Sequence, residues 1–239
     1  MKDKPLSSPV PALQRGLDVI EHMATRGDAV TLSQLARDMA LDVYQIQRTV
    51  ACLHERGYLT RDPAGVYRLS SKLYRLAQAH PPQRELVARA YPAMTEYARV
   101  TGESVHLGVM AEKRLLLVAE VPGAGLARVS LQMGALLEPE LTVSGRVLLA
   151  FAPPNGDGVP EAKGVLARRL AEIRAQGYEF AASGYVEGIW DLGVPVLTSD
   201  GAATAGLTSS WLHLRGQKDR WRELLPELRK CAERVAAAY

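Results

Sequence analysis

The sequence contains few of the residues that build disulfide-rich or metal-binding folds. Among its 239 residues there are two cysteines, Cys52 and Cys231, and neither belongs to a C-x-x-C pair. The five histidines are scattered and show no spacing typical of metal ligands. A disulfide framework or a structural zinc site is therefore not expected. We predict a protein without metal or cofactor, in a reducing compartment, the cytoplasm.

Long apolar stretches are missing as well. The first ten residues, MKDKPLSSPV, contain no apolar segment of the kind found in signal peptides. No run of about 18 apolar residues, the length that spans a bilayer, occurs in the chain. These absences predict a soluble protein with no membrane partner.

Catalytic motifs are absent or incomplete. The segment TVSGR lacks the first glycine of G-x-S-x-G, and neither H-E-x-x-H nor G-x-x-x-x-G-K-[ST] is present. The segment GAGLAR, residues 123–128, lacks the third glycine of a dinucleotide-binding loop and precedes a predicted strand. We therefore expect that the protein is not an enzyme.

The net charge of +3 is unevenly distributed. All of the formal excess lies in the first 80 residues, and residues 42–75 hold six basic side chains against three acidic ones. A locally basic segment favours a polyanionic partner such as nucleic acid.

The N-terminal third shows helical periodicity. Residues 1–9 carry prolines and serines without periodicity and are predicted to be a disordered tail. Apolar positions recur at helical spacing from Leu13 to Met23, and Gly27 ends this helix. A second short helix follows, with Thr31 or Ser33 as its N-cap.

The stretch LDVYQIQRTVACLHERGYL, residues 41–59, predicts a third helix with two different faces. Asp42 followed by Gln45 resembles a capping box. Ile46, Val50 and Leu53 fall on one face, which is typical of a core contact. The opposite face carries Tyr44, Gln47, Arg48 and Ala51.

A hairpin with arginines follows this third helix. Residues 58–61 and 66–69 are predicted strands on either side of a DPAG turn. Three short helices and a basic hairpin form a winged helix-turn-helix, which we assign to residues 10–70. Residues 71–84 are predicted to form a linker helix, interrupted by Pro81-Pro82.

The predicted DNA-contacting residues follow from the chemistry of nucleic-acid recognition. Arg48 suits guanine or phosphate, and amide side chains suit adenine edges. Backbone N–H groups at the start of the second helix suit a phosphate. The DNA-binding candidates are Ser33, Gln34, Val43, Tyr44, Gln45, Gln47, Arg48, Arg61 and Arg68.

Residues 85–239 predict a second, α+β domain with a largely antiparallel sheet. A long helix covers residues 85–100, and strands 104–110 and 114–121 form a hairpin. Further strands are expected at 126–131, 177–180, 190–197 and 203–210. Further helices are expected at 144–151, 161–176 and 220–238.

The order of these elements resembles the isocitrate lyase regulator (IclR) family of bacterial transcription factors, from Val10 to Tyr239. LQRGLDVIEHMA resembles the first helix of the family. LSQLARDMALDVYQIQRTVACLHERGYLTRDPAGVYRLSSKLYRLA resembles its helix-turn-helix, wing and linker. TGESVHLGVM, LTVSGRVLLAF and GVPVLTSDGAATAGLTSS resemble its effector domain. Tyr44-Gln45 departs from the Ser-Thr pair that is frequent there, which suggests a different operator.

The resemblance implies a GAF-like effector-binding domain and a function. Family members form dimers or tetramers on operator DNA, and they regulate catabolic operons in response to small organic, aromatic or sugar acids. We expect a repressor of this kind. The implied effector-binding residues are His106, Leu131, Leu137, Val143, Ser144, Gly145, Trp190, Pro195, Thr208 and Ser210.

Within that implied site, individual roles differ. The helix that begins near Val143-Ser144-Gly145 offers N–H groups to a carboxylate. His106 and Arg146 are candidate counter-charges. The alternatives are a satisfied structural histidine for His106 and a simply exposed side chain for Arg146. Two other readings of the whole chain stay open: an enzyme with an N-terminal dimerisation module, and a protein–protein adaptor.

Overall fold

The computed structural model describes residues 10–79, 83–111, 113–125, 128–152, 162–212 and 219–237. The chain folds as two units, an N-terminal unit of residues 1–81 and a C-terminal unit of residues 82–239. The predicted tail, the Pro81-Pro82 break and the start of the helix predicted at residue 161 lie outside the described residues.

The N-terminal unit is a winged helix-turn-helix. Its elements are α1 (Pro11–Arg26), β1 (Val30–Thr31), α2 (Leu32–Asp38), α3 (Val43–Glu55), β2 (Leu59–Arg61), β3 (Val66–Leu69) and α4 (Lys72–Ala79). The three strands form an antiparallel sheet in the order β1-β3-β2. The predicted core positions Ile46, Val50 and Leu53 are buried against α1 and α2. The predicted fold of this part is therefore confirmed, with β1 as an addition that the sequence pattern did not show.

Helix capping differs from the prediction in one place. Asp42 does cap α3, because its side chain accepts a hydrogen bond from the backbone N–H of Tyr44 at 2.7 Å. The capping box lies at α2 instead, where Thr31 and Gln34 each accept a hydrogen bond from the backbone N–H of the other.

Replacing Asp42 by alanine is expected to destabilise the N-terminal unit by about 1 kcal/mol, because α3 loses the acceptor for one of its free N–H groups. Asp42→Asn is the matched control, since asparagine removes the same charge but still caps a helix. Urea unfolding followed by far-UV circular dichroism measures both. Equal losses for the two variants would contradict a capping role.

The C-terminal unit is built around a six-stranded antiparallel sheet in the order β6-β5-β4-β9-β8-β7. Its strands are β4 (Ser104–Ala111), β5 (Arg114–Val121), β6 (Leu136–Leu137), β7 (Glu179–Ala182), β8 (Ile189–Leu197) and β9 (Ala203–Leu212). Its helices are α5 (Arg84–Thr101), α6 (Val143–Ala150), α7 (Gly164–Gln176) and α8 (Arg220–Ala236), with a short 3-10 helix at Pro139–Leu141. The predicted antiparallel sheet domain is confirmed.

Alternation along the strands divides this sheet into two chemically different faces. One face buries aliphatic residues such as Leu107, Val194 and Leu207 under α5 and α8. The other face packs against α6 and carries small or polar residues at the alternate positions, among them His106 and Thr208. The second face is the one that forms a cavity.

The strand predicted at residues 126–131 is wrong over its described part. Residues 128–131 form no strand, and Leu126 and Ala127 lie outside the described residues. The backbone N–H of Leu131 donates to the carboxylate of Glu120 at 3.0 Å instead of joining a ladder. The neighbour of β5 at that edge is β6, where Leu136 and Leu137 pair with Leu116 and Leu115.

Candidate DNA-binding surface and effector cavity

The outer face of α3 is exposed along its whole length. Tyr44 is 80% exposed, and Gln45, Gln47 and Arg48 are exposed beside it. Within the part of the chain that the structure describes, the side chains of Gln47 and Arg48 have no hydrogen-bond or ion-pair partner. This face therefore offers two amide groups, a phenol and a guanidinium to an external ligand.

The two wing arginines lie on opposite faces of the hairpin. Arg61 pairs with Tyr67 across the β2–β3 ladder, and Arg68 pairs with Thr60. The Arg61 guanidinium lies over the Tyr67 ring, 5.5 Å from its centroid, whereas Arg68 points away from that face. A hairpin inserted into a groove could thus present one arginine to each side.

The start of α2 is less open than the sequence suggested. Ser33 is exposed, but the side-chain oxygen of Gln34 accepts hydrogen bonds from the backbone N–H and the hydroxyl of Thr31, both at 2.9 Å. Only the amide NH₂ group of Gln34 is left for an external contact. Val43 is exposed at the first turn of α3.

In the C-terminal unit, α6 lies directly on the sheet because two glycines leave room for it. A Cβ atom on Gly193 would come within 2.5 Å of Val143, and one on Gly206 within 3.0 Å of the Ser144 carbonyl oxygen. This close approach brings the first turn of α6 to the polar side chains of β4 and β9.

A cavity of about 260 Å³ lies at this end of α6. It is slightly below the usual range of about 300–1,000 Å³ for ligand pockets, which suits a small molecule. Seven of the ten predicted effector-binding residues line it: His106, Leu131, Leu137, Val143, Ser144, Thr208 and Ser210.

The other three predicted residues lie elsewhere. Trp190 stacks on Phe180 on the opposite face of the sheet, with ring centroids 4.6 Å apart. Pro195 lines a separate surface groove beside Phe151. Gly145 packs against Pro139, where a Cβ atom would come within 2.3 Å of backbone.

The polar wall of the cavity consists of two hydrogen-bonded groups. Ser144 Oγ lies 2.6 Å from Thr208 Oγ1 and 3.4 Å from His106 Nε2. Next to them, the Ser210 hydroxyl donates to the Asp191 carboxylate at 2.6 Å. Burial raises the pKa of Asp191, while its hydrogen bonds with Ser210 and Ser183 act in the opposite direction.

The contact between Ser144 and His106 does not form a catalytic triad. A nucleophilic serine needs a base that a third group orients. Asp191, the carboxyl group of this wall, bonds to Ser210 and not to His106. Among the described residues, this wall therefore lacks the carboxylate-to-histidine contact that orients the base of a hydrolase.

Neither candidate counter-charge is a free cation. Burial lowers the pKa of His106 to about 4, so the imidazole is neutral at pH 7. Arg146 donates through Nε to both carboxylate oxygens of Glu179 at 2.9 Å and through Nη1 to the Glu140 carbonyl oxygen at 2.8 Å. His106 lines the cavity as a neutral group, whereas Arg146 does not line it and is not the exposed side chain of the alternative, because it is only 14% exposed in its ion pair with Glu179.

The depressed pKa of His106 predicts a loss of stability in acid. The unfolded chain, with an imidazole pKa of about 6.5, takes up a proton that the folded chain resists until about pH 4. The contribution of the neutral imidazole to the free energy of unfolding is complete above pH 6.5. It is lost as the pH falls toward 4, and about 2 kcal/mol is lost at pH 5.

Urea unfolding at pH 7.5 and pH 5 measures this effect. Tryptophan fluorescence reports the C-terminal unit, because Trp190, Trp211 and Trp221 all belong to it. His106→Gln should lose part of the pH dependence, and His54→Gln, at an exposed position, should keep it. Unchanged pH dependence in His106→Gln would contradict this role.

Asp191, Ser183 and Tyr185 also line the cavity and were not predicted from the sequence. The pairing of β8 with β9 identifies Asp191, because Trp190 pairs with Trp211 and Asp191 pairs with Ser210. Side chains alternate between the two faces of a strand, so the residue of β8 that faces the cavity beside Ser210 is Asp191 and not Trp190. Tyr185 had no such signal, since its position depends on a loop contact in which its hydroxyl accepts from the Glu138 N–H at 2.9 Å.

Among the described residues, no group of three or more His, Cys, Asp or Glu side chains is placed to hold a metal ion. None of the described helices combines the length and apolar character needed to cross a membrane.

Two protein-family models match the chain, one for each unit. Residues 12–63 match the IclR helix-turn-helix domain. Residues 80–157 and 161–237 match the model described as the C-terminal part of the bacterial transcriptional regulator IclR. Together these matches cover most of the sequence.

Individual relatives extend over almost the full length. The chain is 28% identical to the glycerol operon regulatory protein of Streptomyces coelicolor over 242 residues, 95% of each protein. It is 22% identical to the transcriptional repressor IclR of Escherichia coli over 252 residues, 98% of this chain and 92% of the relative.

Solved structures share the fold. The IclR of Thermotoga maritima superimposes with a TM-score of 0.77 at 21% identity, covering 95% of this chain and 97% of that one. An IclR homologue of Microbacterium hydrocarbonoxydans in complex with 4-hydroxybenzoate gives 0.78 at 22% identity, covering 95% and 98%.

Proposed function

We infer the function from one premise: this chain belongs to the IclR family of bacterial transcriptional regulators. It is a transcription regulator with a helix-turn-helix DNA-binding domain and a ligand-binding C-terminal domain. We propose that it binds operator DNA near a catabolic operon as a repressor and responds to a small molecule. A protein with this function works in the cytoplasm, where bacterial DNA lies.

The observation that carries the DNA-binding proposal is the exposed face of α3. Arg48 and Gln47 have no partner within the described chain, and Tyr44 is 80% exposed beside them. In a helix-turn-helix the second helix of the motif enters the major groove and presents such side chains to base edges. The wing arginines Arg61 and Arg68 supply phosphate contacts.

A second copy of the chain would complete the operator contact. Helix-turn-helix dimers place two recognition helices about one turn of DNA, or multiples of it, apart. Helix α4 has no buried residue in this chain, and its Tyr74 and Leu76 are exposed. We propose that α4, within a linker of residues 71–84, is covered by a partner copy in a dimer or tetramer.

The cavity of the C-terminal unit supports effector control. A ligand that binds better to one arrangement of the dimer shifts the population toward it, by no more than its difference in affinity for the two arrangements. Ligand binding in the cavity would thereby change how well the two copies of α3 match the operator.

Sequencing of genomic fragments retained by the purified protein tests this proposal. We expect a small number of strongly enriched sites, including one close to the gene itself, that share a two-fold symmetric sequence. A uniform distribution of fragments would contradict sequence-specific DNA binding.

The two alternatives have less support. The enzyme hypothesis would need a group that orients His106 toward Ser144, and no described residue of this wall provides one. The protein–protein adaptor hypothesis does not explain Arg48 and the basic wing, since these groups match phosphates and base edges.

A further inference from the structure

We propose that the effector of this chain is a small uncharged molecule with an apolar body and a hydroxyl group, and not a carboxylate. The inference rests on the proposed role of the cavity as the effector site. It concerns the polar wall, where the described residues place hydroxyl groups, an imidazole and a carboxyl group but no cation.

Asp191 decides the charge that the cavity accepts. Of the described residues that line the cavity, Asp191 alone has a carboxyl group, and none is lysine or arginine. A ligand carboxylate at this wall would stand next to the Asp191 carboxyl group. Two carboxylates in one site cannot both ionise without repulsion, so one must take up a proton before the acid binds.

Arg146, the basic residue that follows Ser144 and Gly145 on α6, is already paired. It is held by Glu179, which is fully buried. Glu179 also accepts a hydrogen bond from Arg169 Nε at 2.8 Å. Moving Arg146 toward a ligand would leave Glu179 with only one cation in a buried position, which is unfavourable.

The other polar groups of the wall suit a hydroxyl group. Thr208, Ser144 and Ser210 are hydroxyls, and the neutral imidazole of His106 can donate one hydrogen bond or accept one. A ligand hydroxyl can donate to Asp191 and accept from a neighbouring hydroxyl. It satisfies this wall without bringing a charge into it.

The N-terminus of α6 is the feature that would favour an anion, but part of it is occupied. The Thr142 hydroxyl oxygen accepts the Gly145 N–H at 3.0 Å, which removes one of the free donors of the first turn. Asp191 lines the same cavity, and its ionised carboxylate would oppose the helix dipole.

The rest of the lining is mostly apolar, with Gln132 and Tyr185 as further polar residues, and it sets the body of the ligand. Its apolar part is formed by aliphatic side chains from β5, the segment after it, α6 and the start of β8: Leu115, Leu117, Val129, Leu131, Leu137, Val143 and Ile189. Such a surface favours a hydrocarbon ring or chain, with the single polar group directed to the opposite wall.

The test compares 2-phenylethanol with phenylacetate, which share the ring and differ in the polar group. Isothermal titration calorimetry of the full chain without DNA measures both at pH 7.5. We expect 2-phenylethanol to bind at least about tenfold more tightly. Asp191→Asn should reduce this preference, because it removes the charge and keeps the size, whereas Asp200→Asn, in an exposed turn, should retain it.

Two outcomes would overturn the proposal: phenylacetate binding as tightly as the alcohol, or heat from neither compound. Both outcomes leave the DNA-binding proposal intact, because enrichment of genomic fragments is measured independently. Loss of fragment enrichment together with a preserved preference for the alcohol would instead contradict the regulator function alone.

Discussion

Replacing Arg48 by alanine is expected to weaken operator binding by about 1–3 kcal/mol, roughly five- to 150-fold. Arg48 lies on the exposed side of α3, opposite the buried Ile46 and Val50, so its removal changes the surface and not the core. Its guanidinium has no partner within the described chain and is available for a bidentate contact with guanine. Gel-shift titration of an enriched operator at fixed salt measures the loss.

The matched control is Arg99→Ala. Arg99 is an exposed arginine of α5 in the C-terminal unit, where it pairs with Glu96 on the same helix. Both variants lower the net charge by one, so a general charge effect would weaken binding equally. Equal operator affinities for Arg48→Ala and the unchanged protein would show that α3 is not the recognition helix.

Glu179→Gln is expected to destabilise the C-terminal unit by about 3 kcal/mol, which lowers its Tm by roughly 6–12 °C. Glu179 is 0% exposed and joins Arg146 on α6 to Arg169 on α7. Glutamine keeps the size of the side chain but leaves Arg146 without its counter-ion, and it leaves Arg169 with only Glu172 on its own helix, 3.7 Å away. Breaking one partner of a buried ion pair has a large effect for this reason.

Glu96→Gln provides the comparison for this variant. Glu96 also holds an arginine through two hydrogen bonds, at 2.8 and 2.9 Å from Arg99, but the pair lies on the surface of α5. Water screens such a pair, and we expect an almost unchanged thermal transition. If thermal melts show equal shifts for the two variants, burial of Glu179 does not determine the stability of the unit.

The sequence predicted the N-terminal unit well because its signals are local. The alternation of Ile46, Val50 and Leu53 with exposed polar residues, the Gly57 stop and the DPAG turn each act within a few residues. The capping box was assigned to the wrong helix, since Asp42 with Gln45 and Thr31 with Gln34 look equivalent in the sequence. Only the geometry of the chain decides which pair closes.

The cavity was predictable in part. Its strands and α6 have clear periodic patterns, and resemblance to the IclR family suggested seven residues that line it. Trp190 was predicted at the cavity, but it lies one position before Asp191 on β8 and therefore on the opposite face of the sheet. Correcting this prediction needs the pairing of β8 with β9, which is a long-range property of the sheet.

The charge of the cavity could not be predicted from the sequence. Arg146 and His106 are basic residues near the right place, and nothing local shows that one is paired with Glu179, 33 positions away along the chain, and the other is neutral through burial. Such properties arise when distant segments meet. For the same reason the loop contact of Tyr185 with Glu138 could not be foreseen.

The most direct test of sequence-specific operator binding by this chain is fluorescence anisotropy with the intergenic DNA upstream of the gene. The measurement is made across a salt series and with excess random DNA. A sequence-specific regulator binds this DNA tightly and resists the competitor. Its log affinity falls linearly with log salt, because the release of counterions from contacted phosphates becomes less favourable. Equal, weak binding to the upstream and random duplexes at every salt concentration would contradict the claim.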